Sequence, residues 1–405
     1  MKVALLISQH FSNAPRAQKE AAAIASLGAE VTVFGSWWNE ELAEEDLRLA
    51  NLAGVHYVPL IDQRHGKRGC LIPKLRARFA RELYTRTKWV LPEAFGTTSR
   101  LMLRAVHRLR PNLTMVHCEP GLWAGRRLVE QGYRVGIDFE DWFSEDLLPE
   151  ARKNRPVTAI AEAEKFLLRN CKVCFATSSA MARALAGEAG LSLEPLVVPN
   201  CFPWKDRAEA LEGPRDQRGK EVSLYWYSQT IGPGRGLETL GQSLRGVHGN
   251  WKLRLRGVLR APDGWLERTF PPDVLEKTEI LLPVPNHELL GRHMSHDVGL
   301  ALEIPFCKSR DLTATNKIFD YMRAGLAIIA TDTEGQREVM GECQDAGWIV
   351  SSGQDGSLRE ALQEAISNPK TVESKKVASL HAAKQRWAWE SHVGVVKSAV
   401  AAAVA

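Results

Sequence analysis

The sequence predicts an α/β protein with two domains, each built on its own parallel sheet. Short apolar runs of strand length alternate with helical stretches along the whole chain, a pattern typical of stacked strand–helix units. With 405 residues, the chain also exceeds the usual size of a single hydrophobic core. The alternation stops once near the middle, at Pro199 and Pro203 and a charged connector from Lys205 to Lys220, and then resumes. We therefore expect the domain boundary there.

Seven strands are predicted in the first half. They are Lys2–Ser8, Glu30–Ser36, Val55–Leu60, Leu113–Glu119, Arg134–Glu140, Lys172–Ser178 and Leu193–Asn200. A loop carrying His10, Asn13 and Arg16 joins the first strand to an alanine-rich helix. Because the loop begins at the carboxyl end of a strand, where open α/β sheets bind ligands, it is a candidate binding segment.

Six strands are predicted in the second half. They are Glu221–Ser228, Trp251–Val258, Thr278–Pro285, His296–Ile304, Leu326–Asp332 and Gly347–Ser352. The tail from Trp387 onward has the composition of a terminal helix. The expected organisation is therefore residues 1–203 and 204–385 as domains, followed by residues 386–405 as a terminal helix.

Composition and charge favour a cytoplasmic protein. The chain has no apolar run long enough to span a bilayer, and Met1–Ser8 is a short strand rather than a signal peptide. Its seven scattered cysteines fit a reducing compartment. The histidines lack metal-ligand spacing with one another, so we expect no metal site.

The net charge of +5 is unevenly distributed, because residues 64–110 are strongly basic and contain only Glu82 and Glu93 as acidic residues. Apolar side chains interleave with the arginines at helical spacing: Leu71, Leu75, Phe79, Leu83 and Tyr84. A peripheral contact with anionic membrane lipid, a surface for an anionic acceptor and an ordinary solvated helix face all remain open. No recognisable nucleic-acid-binding motif accompanies the charge, so we expect no nucleic-acid partner.

The segment Thr315–Gly325 is the most informative in the chain. Its apolar residues lie on one face of a predicted helix, and Asn316, Lys317 and Asp320 lie on another. Gly325 suits the left-handed residue that ends a helix. Thr315 precedes free N–H groups that attract an anion, and a carboxylate one turn further along can accept sugar hydroxyls. An ordinary amphipathic helix would show the same pattern.

A glycine-rich turn provides a second candidate anion site. Ser228, Gln229, Gly232, Gly234 and Arg235 follow a predicted strand and precede a helix. Glycines let the backbone approach a diphosphate, and arginine adds a permanent forked charge. The turn matches neither a Walker loop nor the GxGxxG pattern.

With these motifs the chain resembles GT-B glycosyltransferases, and most closely their large retaining family 4. The resemblance covers almost the whole sequence. Its elements are Asn13–Arg16, Ser26–Val31, Ser178–Met181, Val198–Asn200, Gln229–Gly236, His296–Leu300 and Asn316–Gly325.

The resemblance implies two Rossmann-like domains facing a cleft, with a terminal helix crossing back to the first domain. It implies that the C-terminal domain binds a nucleoside-diphosphate sugar and the N-terminal domain a glycan or glycolipid acceptor, without a metal ion or other cofactor. Catalytic roles would fall to Glu140, Arg235, Lys317 and Asp320. Donor contacts would add Val284, Asp311, Thr315 and Asn316 to the glycine turn, and acceptor contacts would come from His10, Asn13, Arg16, His117 and Glu119.

Three positions differ from the family pattern. Where the family often has two glutamates eight positions apart, this chain has Leu312 and Asp320, with Asp311 next to the first position. Its basic pair on the diphosphate corresponds to Gln229 and Arg235 here, so a second charge must come from elsewhere, such as Lys317 or Lys308. Glu140 stands where many relatives have a histidine near the reacting carbon, and either a catalytic or a structural role fits it.

The expected function is transfer of a sugar from a nucleoside diphosphate to a hydroxyl group, with surface polysaccharide or glycolipid assembly as the setting, at the inner face of the membrane. Two alternatives remain. A non-catalytic nucleotide-sugar-binding or scaffold protein would have the same fold. An NAD-type oxidoreductase would need a phosphate-binding turn after the first strand, but residues 8–12 contain no glycine.

Overall fold

In the computed structural model the chain forms two compact units. The structure describes residues 1–64, 68–146, 149–153, 155–217, 219–353 and 355–405. Unit 1 comprises residues 1–198 and 392–405, and unit 2 comprises residues 199–391. The sequence-based bounds at residues 203/204 and 385/386 remain a prediction about independently folding domains.

Unit 1 is built on a seven-stranded parallel sheet of order β3-β2-β1-β4-β5-β6-β7. Its strands are β1 (Lys2–Leu6), β2 (Glu30–Trp37), β3 (His56–Asp62), β4 (Leu113–Val116), β5 (Val135–Phe139), β6 (Val173–Ala176) and β7 (Leu196–Val197). The strand order reverses between β1 and β4, and this is where a doubly wound sheet opens a crevice at its carboxyl edge.

Within the described residues of unit 1, nine α-helices surround this sheet. They are α1 (Pro15–Ala25), α2 (Glu40–Ala53), α3 (Arg68–Thr87), α4 (Ser99–Leu109), α5 (Glu119–Glu130), α6 (Pro149–Arg152), α7 (Val157–Asn170), α8 (Ser179–Ala189) and, from the chain's end, α19 (Val393–Val404). Local sequence explains their limits: α2 begins where the Asn39 side chain accepts a hydrogen bond from Leu42 N, and it ends at Gly54 with φ +66°.

Unit 2 has a six-stranded parallel sheet of order β10-β9-β8-β11-β12-β13. Its strands are β8 (Val222–Ile231), β9 (Trp251–Leu259), β10 (Thr278–Leu281), β11 (Val298–Ala301), β12 (Ala327–Thr331) and β13 (Gly347–Val350). The order reverses between β8 and β11. Buried aliphatic and aromatic side chains of these strands and their helices form its core.

Ten α-helices belong to the described part of unit 2. They are α9 (Asp206–Glu212), α10 (Leu237–Leu244), α11 (Trp265–Thr269), α12 (Pro272–Leu275), α13 (Asn286–His293), α14 (Lys308–Leu312), α15 (Asn316–Ala324), α16 (Glu334–Gly341), α17 (Asp355–Ser367) and α18 (Pro369–Gln385). The predicted end of α15 is confirmed: Gly325 has φ +81° and its N–H bonds to the carbonyls of Tyr321 and Met322.

The predicted fold class is confirmed. Each of the thirteen predicted strands overlaps an observed one, and two Rossmann-like units account for all of them. The terminal helix α19 packs on α1, and Arg134 of the same unit donates a hydrogen bond from Nη1 to the carbonyl of Val404 (2.6 Å). None of the described helices has the length and apolar character that a bilayer crossing requires.

Candidate functional site

The glycine turn of unit 2 lies against the chain that leaves β11. Gly236 has φ +80°, and a Cβ there would lie 3.0 Å from Leu302 Cβ and 3.1 Å from its carbonyl oxygen. The turn therefore reaches the residues after β11 at the point where the strand order reverses. Glycine is required by the positive φ and by this close approach.

Two of the predicted donor residues lie on β8 itself. The pairing of β8 with β9 shifts between Tyr227 and Thr230, so Ser228 and Gln229 belong to a bulge rather than to the loop that was predicted after Ser228. Bulges re-aim side chains near sites. The exposed Arg235 side chain donates a hydrogen bond from Nη1 to Ser228 Oγ (2.9 Å).

Glu303 organises the other side of this junction. Its Oε1 accepts hydrogen bonds from Lys317 Nζ (2.6 Å) and from Thr315 Oγ1 (3.1 Å). Burial alone would raise the pKa of Glu303, but the Lys317 ammonium and Arg310 outweigh it and hold the pKa of Glu303 below its ordinary value. Thr315 occupies the N-cap position of α15, yet its side chain is directed to Glu303 and does not cap the helix.

Sequence reasoning missed both Glu303 and Arg310. Glu303 follows β11 by two residues, and a carboxylate at the end of a buried strand was a signal that could have identified it. Arg310 lies on α14, and its positive charge acts on Glu303. It adds positive charge at this junction to that of Lys317, which is one of the two residues that the sequence suggested for the second charge. The neighbouring Asp311 accepts a hydrogen bond from Glu334 N at the start of α16 (3.2 Å).

The side chain of Asp320 is buried inside unit 2. The sequence placed its carboxylate on the exposed face with Asn316 and Lys317, but the residue is only 5 % exposed. Its Oδ2 accepts a hydrogen bond from the Tyr227 hydroxyl (2.6 Å), and its Oδ1 accepts one from Arg323 Nη2 (2.9 Å). Helical periodicity could not reveal this, because one of the two partners comes from β8.

One predicted donor residue, Val284, lies further away in the sheet order. Val284 is half-buried and follows β10, the edge strand separated from β8 by β9. Unit 2 therefore brings Lys317 and Thr315 together on Glu303, while Gly236 of the glycine turn approaches the preceding residue, Leu302.

Unit 1 contains a cavity of about 500 Å³ at the carboxyl ends of β1, β4 and β5. Three of the predicted residues line it: His117, Glu119 and Glu140. Ser8 and Gln9 contribute from the end of β1, and Arg81 and Arg155 contribute positive charge. Glu119 and Arg155 form an ion pair. The cavity thus lies at the crevice that the strand order predicts, and it is lined by charged groups of both signs.

His117 connects this cavity to a buried polar cluster. Its Nδ1 is hydrogen-bonded to Glu140 Oε1 (3.0 Å), and its Nε2 lies 3.2 Å from Glu20 Oε2. Burial would lower the pKa of His117, but Glu20, Glu140 and Asp138 outweigh it, so the pKa lies well above its ordinary value. Burial also raises the pKa of Glu20. His117 and Glu20 therefore both hold protons more tightly than they do in water.

Arg16 lies behind the cavity and not on it. Its guanidinium donates to both carboxylate oxygens of Asp138, at 2.6 and 2.8 Å, and to the carbonyl of Val198 (2.6 Å). Burial would raise the pKa of Asp138, but Arg16 and then His117 lower it below the ordinary value. The pair joins α1 to β5 and to the chain leaving β7.

His10 is fully buried. Its Nδ1 bonds to Asp46 Oδ2 (2.6 Å), while its Nε2 accepts the N–H of Trp38 (3.0 Å). Nδ1 therefore carries the proton, and the ring ties the first loop to α2. Asn13 is half-buried in the same loop. The structure does not bring His10, Asn13 or Arg16 onto the cavity with His117 and Glu119.

Glu20, His117 and Asp138 also place one potential ligand atom each within 4.8 Å of one another. A cation would have to share this space with the Arg16 guanidinium, which already occupies both oxygens of Asp138. The cluster fits an internal ion-pair network better than a metal site.

Comparisons with known proteins support the predicted fold but do not assign the chain to a family. No protein-family model matches the sequence, and no curated protein matches it. Among solved structures, sucrose-phosphate synthase from Thermosynechococcus elongatus is similar with a TM-score of 0.70 and 13 % identity, covering 99 % of this chain and 98 % of that one. Anabaena Alr3699/HepE in complex with UDP-glucose has a TM-score of 0.68, 12 % identity and 99 % coverage of both chains. A glycosyltransferase from Rickettsia africae has a TM-score of 0.63 and 12 % identity, covering 98 % of each chain. The chain therefore has the GT-B fold, as predicted.

Proposed function

We propose that this protein transfers a sugar from a nucleoside-diphosphate sugar to a hydroxyl group, with retention of anomeric configuration, as in the family 4 enzymes that its motifs resemble. One observation carries the proposal: Gly236 approaches Leu302, which places the glycine turn beside the Glu303–Lys317 pair. The similar fold of the Anabaena protein bound to UDP-glucose supports a nucleotide-sugar donor.

The junction in unit 2 receives the leaving group. Cleavage at the anomeric carbon leaves negative charge on the diphosphate. The Lys317 ammonium, the guanidinium groups of Arg235 and Arg310, and the N–H groups of the glycine turn and of the first turn of α15 stabilise that charge as it develops. Because the side chains are cationic and the N–H dipoles are held by the backbone, the reaction as we propose it needs no metal ion. Glu303 orients Lys317, and Asp320 fixes α15 through Tyr227 and Arg323.

The cavity in unit 1 receives the acceptor. Glu140 is the carboxylate there that can accept a hydrogen bond from the incoming hydroxyl, and His117 holds it in position from behind. Glu119 and Arg155 bind further polar groups of the acceptor. We propose a glycan or glycolipid at the inner face of the membrane as the acceptor, reached from the cytoplasm.

Two alternative functions make different predictions. A non-catalytic binding or scaffold protein would bind the nucleotide without releasing it from any sugar nucleotide. An NAD-type oxidoreductase would bind a dinucleotide after β1, but the turn that follows Leu6 contains no glycine before Pro15. In unit 2 the glycines follow β8 and precede α10, where they suit a diphosphate.

Titration calorimetry with UDP, GDP and ADP tests the donor site. We expect one nucleotide to bind, and Lys317→Met to weaken its binding about 10- to 100-fold, because a charge-assisted hydrogen bond contributes about 1.5–3 kcal/mol. Lys384→Met is the control, since Lys384 is an exposed cation on α18. Absence of binding heat with all three nucleotides, on folded protein, would refute the proposal.

Turnover tests the chemistry. Release of UDP, GDP or ADP from common nucleotide sugars, with or without added acceptor, distinguishes an enzyme from a binding protein. Arg235→Ala should lose about 2–4 kcal/mol of transition-state stabilisation, which is a 30- to 1,000-fold fall in kcat/KM. Unchanged turnover of that variant at saturating donor would remove Arg235 from the mechanism.

A further inference from the structure

Helix α3 of unit 1 exposes a row of large apolar side chains. Leu71, Ile72, Leu75 and Phe79, here called the α3 ridge, are 54–63 % exposed. The opposite face of the helix is the one that packs on unit 1, where Ala77, Ala80 and Tyr84 are buried. Leu83 is half-buried, so Leu83 and Tyr84 do not belong to the exposed row that the sequence suggested. Trp89 follows the helix and is 73 % exposed.

Basic side chains flank the ridge on both sides. At 100° per residue, the ridge covers the outer face of the helix, Lys74 and Arg78 lie along one side of it, and Arg76 lies along the other. All three are exposed. Glu82 is the one acidic residue between Leu71 and Thr87, and it is paired with Arg86 at 2.7 Å. The α3 ridge is therefore exposed to solvent, with a net positive charge on the side chains around it.

The apolar and basic residues of α3 are complementary to an anionic bilayer. The α3 ridge would be buried among the acyl chains while negative headgroups contact the basic residues on both flanks, which is how amphipathic helices lie in a membrane interface. A second copy of α3 would place like charges against one another, and a nucleic acid would leave the apolar row unburied. An exposed tryptophan at the end of the helix also suits the headgroup level.

The same helix borders the cavity. Arg81 lies on α3 and lines the cavity with His117, Glu119, Glu140 and Arg155. Arg81 is exposed, and its charge lowers the pKa of Arg155 further after burial has lowered it. Arg155 is paired with Glu119, so Arg81 is the cation of this cavity edge that can meet an anionic group of the acceptor.

We propose that the α3 ridge, its basic flanks and Trp89 form a docking surface for an anionic lipid bilayer, and that the acceptor is a membrane-anchored amphiphile whose polar headgroup enters the cavity past Arg81. The identity of the acceptor rests on the proposed transfer reaction. The docking surface does not, because it is defined by α3 and Trp89 and includes no residue of the donor site.

Co-sedimentation of the full chain with lipid vesicles tests the surface. The protein should bind vesicles of phosphatidylcholine containing 30 % phosphatidylglycerol and not pure phosphatidylcholine, and binding should weaken with added salt. Leu75→Ser/Phe79→Ser and Arg76→Glu/Arg78→Glu should each reduce the bound fraction at least tenfold. Leu52→Ser/Leu193→Ser is the matched control, since these leucines are 70 % and 82 % exposed elsewhere on unit 1.

A second measurement distinguishes loss of the membrane contact from misfolding of a variant. Vesicles with brominated acyl chains should quench part of the tryptophan emission of the wild type, and Trp89→Phe should remove that quenching while its thermal unfolding stays unchanged. Equal binding to neutral and anionic vesicles, full binding by a folded Leu75→Ser/Phe79→Ser variant, or unchanged quenching in Trp89→Phe would overturn the proposal. No sugar nucleotide is present, so these results are independent of donor calorimetry, which should be unaffected in every α3 variant.

Discussion

The surroundings of His117 strongly affect its chemistry. Its ring is buried between the carboxylates of Glu20 and Glu140, and Asp138 lies 3.8 Å from Nδ1. A buried imidazole with acidic groups on both sides keeps its proton, because the charged form is compensated on every side. In our proposal this proton keeps Glu140 directed into the cavity, so His117 acts as a positioning residue.

Because this proton is lost at alkaline pH, the free energy of unfolding of unit 1 should be lower there. The pKa values of His117 and Glu20 are both raised in the folded protein, so the stabilisation from each is complete below its unfolded pKa and is lost as pH rises through the folded value. The free energy of unfolding should therefore fall as pH rises from 6 to 9. His117→Gln should make that decline shallower, because the titrating ring is gone while an N–H donor to Glu140 remains.

Urea unfolding at pH 6, 7.5 and 9 measures this dependence. His56→Gln is the control, since His56 is exposed on β3 of the same unit and should leave the decline as in the wild type. Parallel pH profiles for wild type and His117→Gln would show that the cluster holds no extra proton.

Among the elements of unit 2, the glycine turn between β8 and α10 needs glycine for two reasons, a positive φ and a close approach to Leu302. Substitutions at Gly234 and Gly236 can separate the two. Gly234 has φ +73° and Gly236 has φ +80°, so an alanine at either position costs about 1–2 kcal/mol in backbone strain. A Cβ at Gly234 meets no heavy atom within 4 Å, whereas one at Gly236 meets Leu302 at 3.0 Å.

Gly236→Ala should therefore lower both stability and donor affinity more than Gly234→Ala does. The two variants share the backbone strain, and only the first pushes the turn away from Leu302 and hence from the Glu303–Lys317 pair. Urea unfolding and nucleotide calorimetry on both variants measure the difference. Equal losses in the two would mean that the contact with Leu302 does not position the turn.

The strands were predictable from sequence, and the partners of polar side chains were not. Strands such as β1 and β12 are runs of small and branched apolar residues, which are stable only when buried in a parallel sheet. Asp320 was assigned to the exposed face of α15 because helical spacing identifies apolar positions and not the polar groups that another element supplies. Tyr227 supplies the missing contact from 93 residues away.

The candidate site follows the same division. Lys317 and the glycine turn were identified because anion binding needs particular residue types in a local pattern. Glu303, Arg310 and the placement of Ser228 in a bulge depend on how β8, β11, α14 and α15 meet, which no local pattern contains. The family's pair of glutamates predicts a carboxylate at the position of Asp311 or Leu312, whereas the carboxylate that pairs with Lys317 is Glu303.

At the scale of the whole molecule, the chain ends in the unit where it begins. Helix α19 belongs to unit 1, and Val396 and Val400 are buried there, whereas Pro199–Ser391 belong to unit 2. Residues 386–391 stay with unit 2 through Trp389, whose N–H donates to the carbonyl of Phe202 (3.0 Å). The chain therefore passes from α18 of unit 2, through residues 386–391 of the same unit, to α19 of unit 1.

Truncation after Ser391 should therefore destabilise unit 1 and spare unit 2. Loss of two buried valine side chains removes about 3–6 kcal/mol of hydrophobic stabilisation from unit 1. Nucleotide binding in unit 2, and the stabilisation that it confers on that unit, should persist in the truncated protein. Thermal unfolding with and without nucleotide, with proteolytic fragments identified by mass, assigns each transition to a unit. In the untruncated chain, Val400→Asp should reproduce the truncation, whereas Ser398→Asp adds the same charge at an exposed position of α19 and should not. If the truncated protein instead lost nucleotide binding while unit 1 remained stable, α19 would stabilise the donor unit, contrary to its packing on α1.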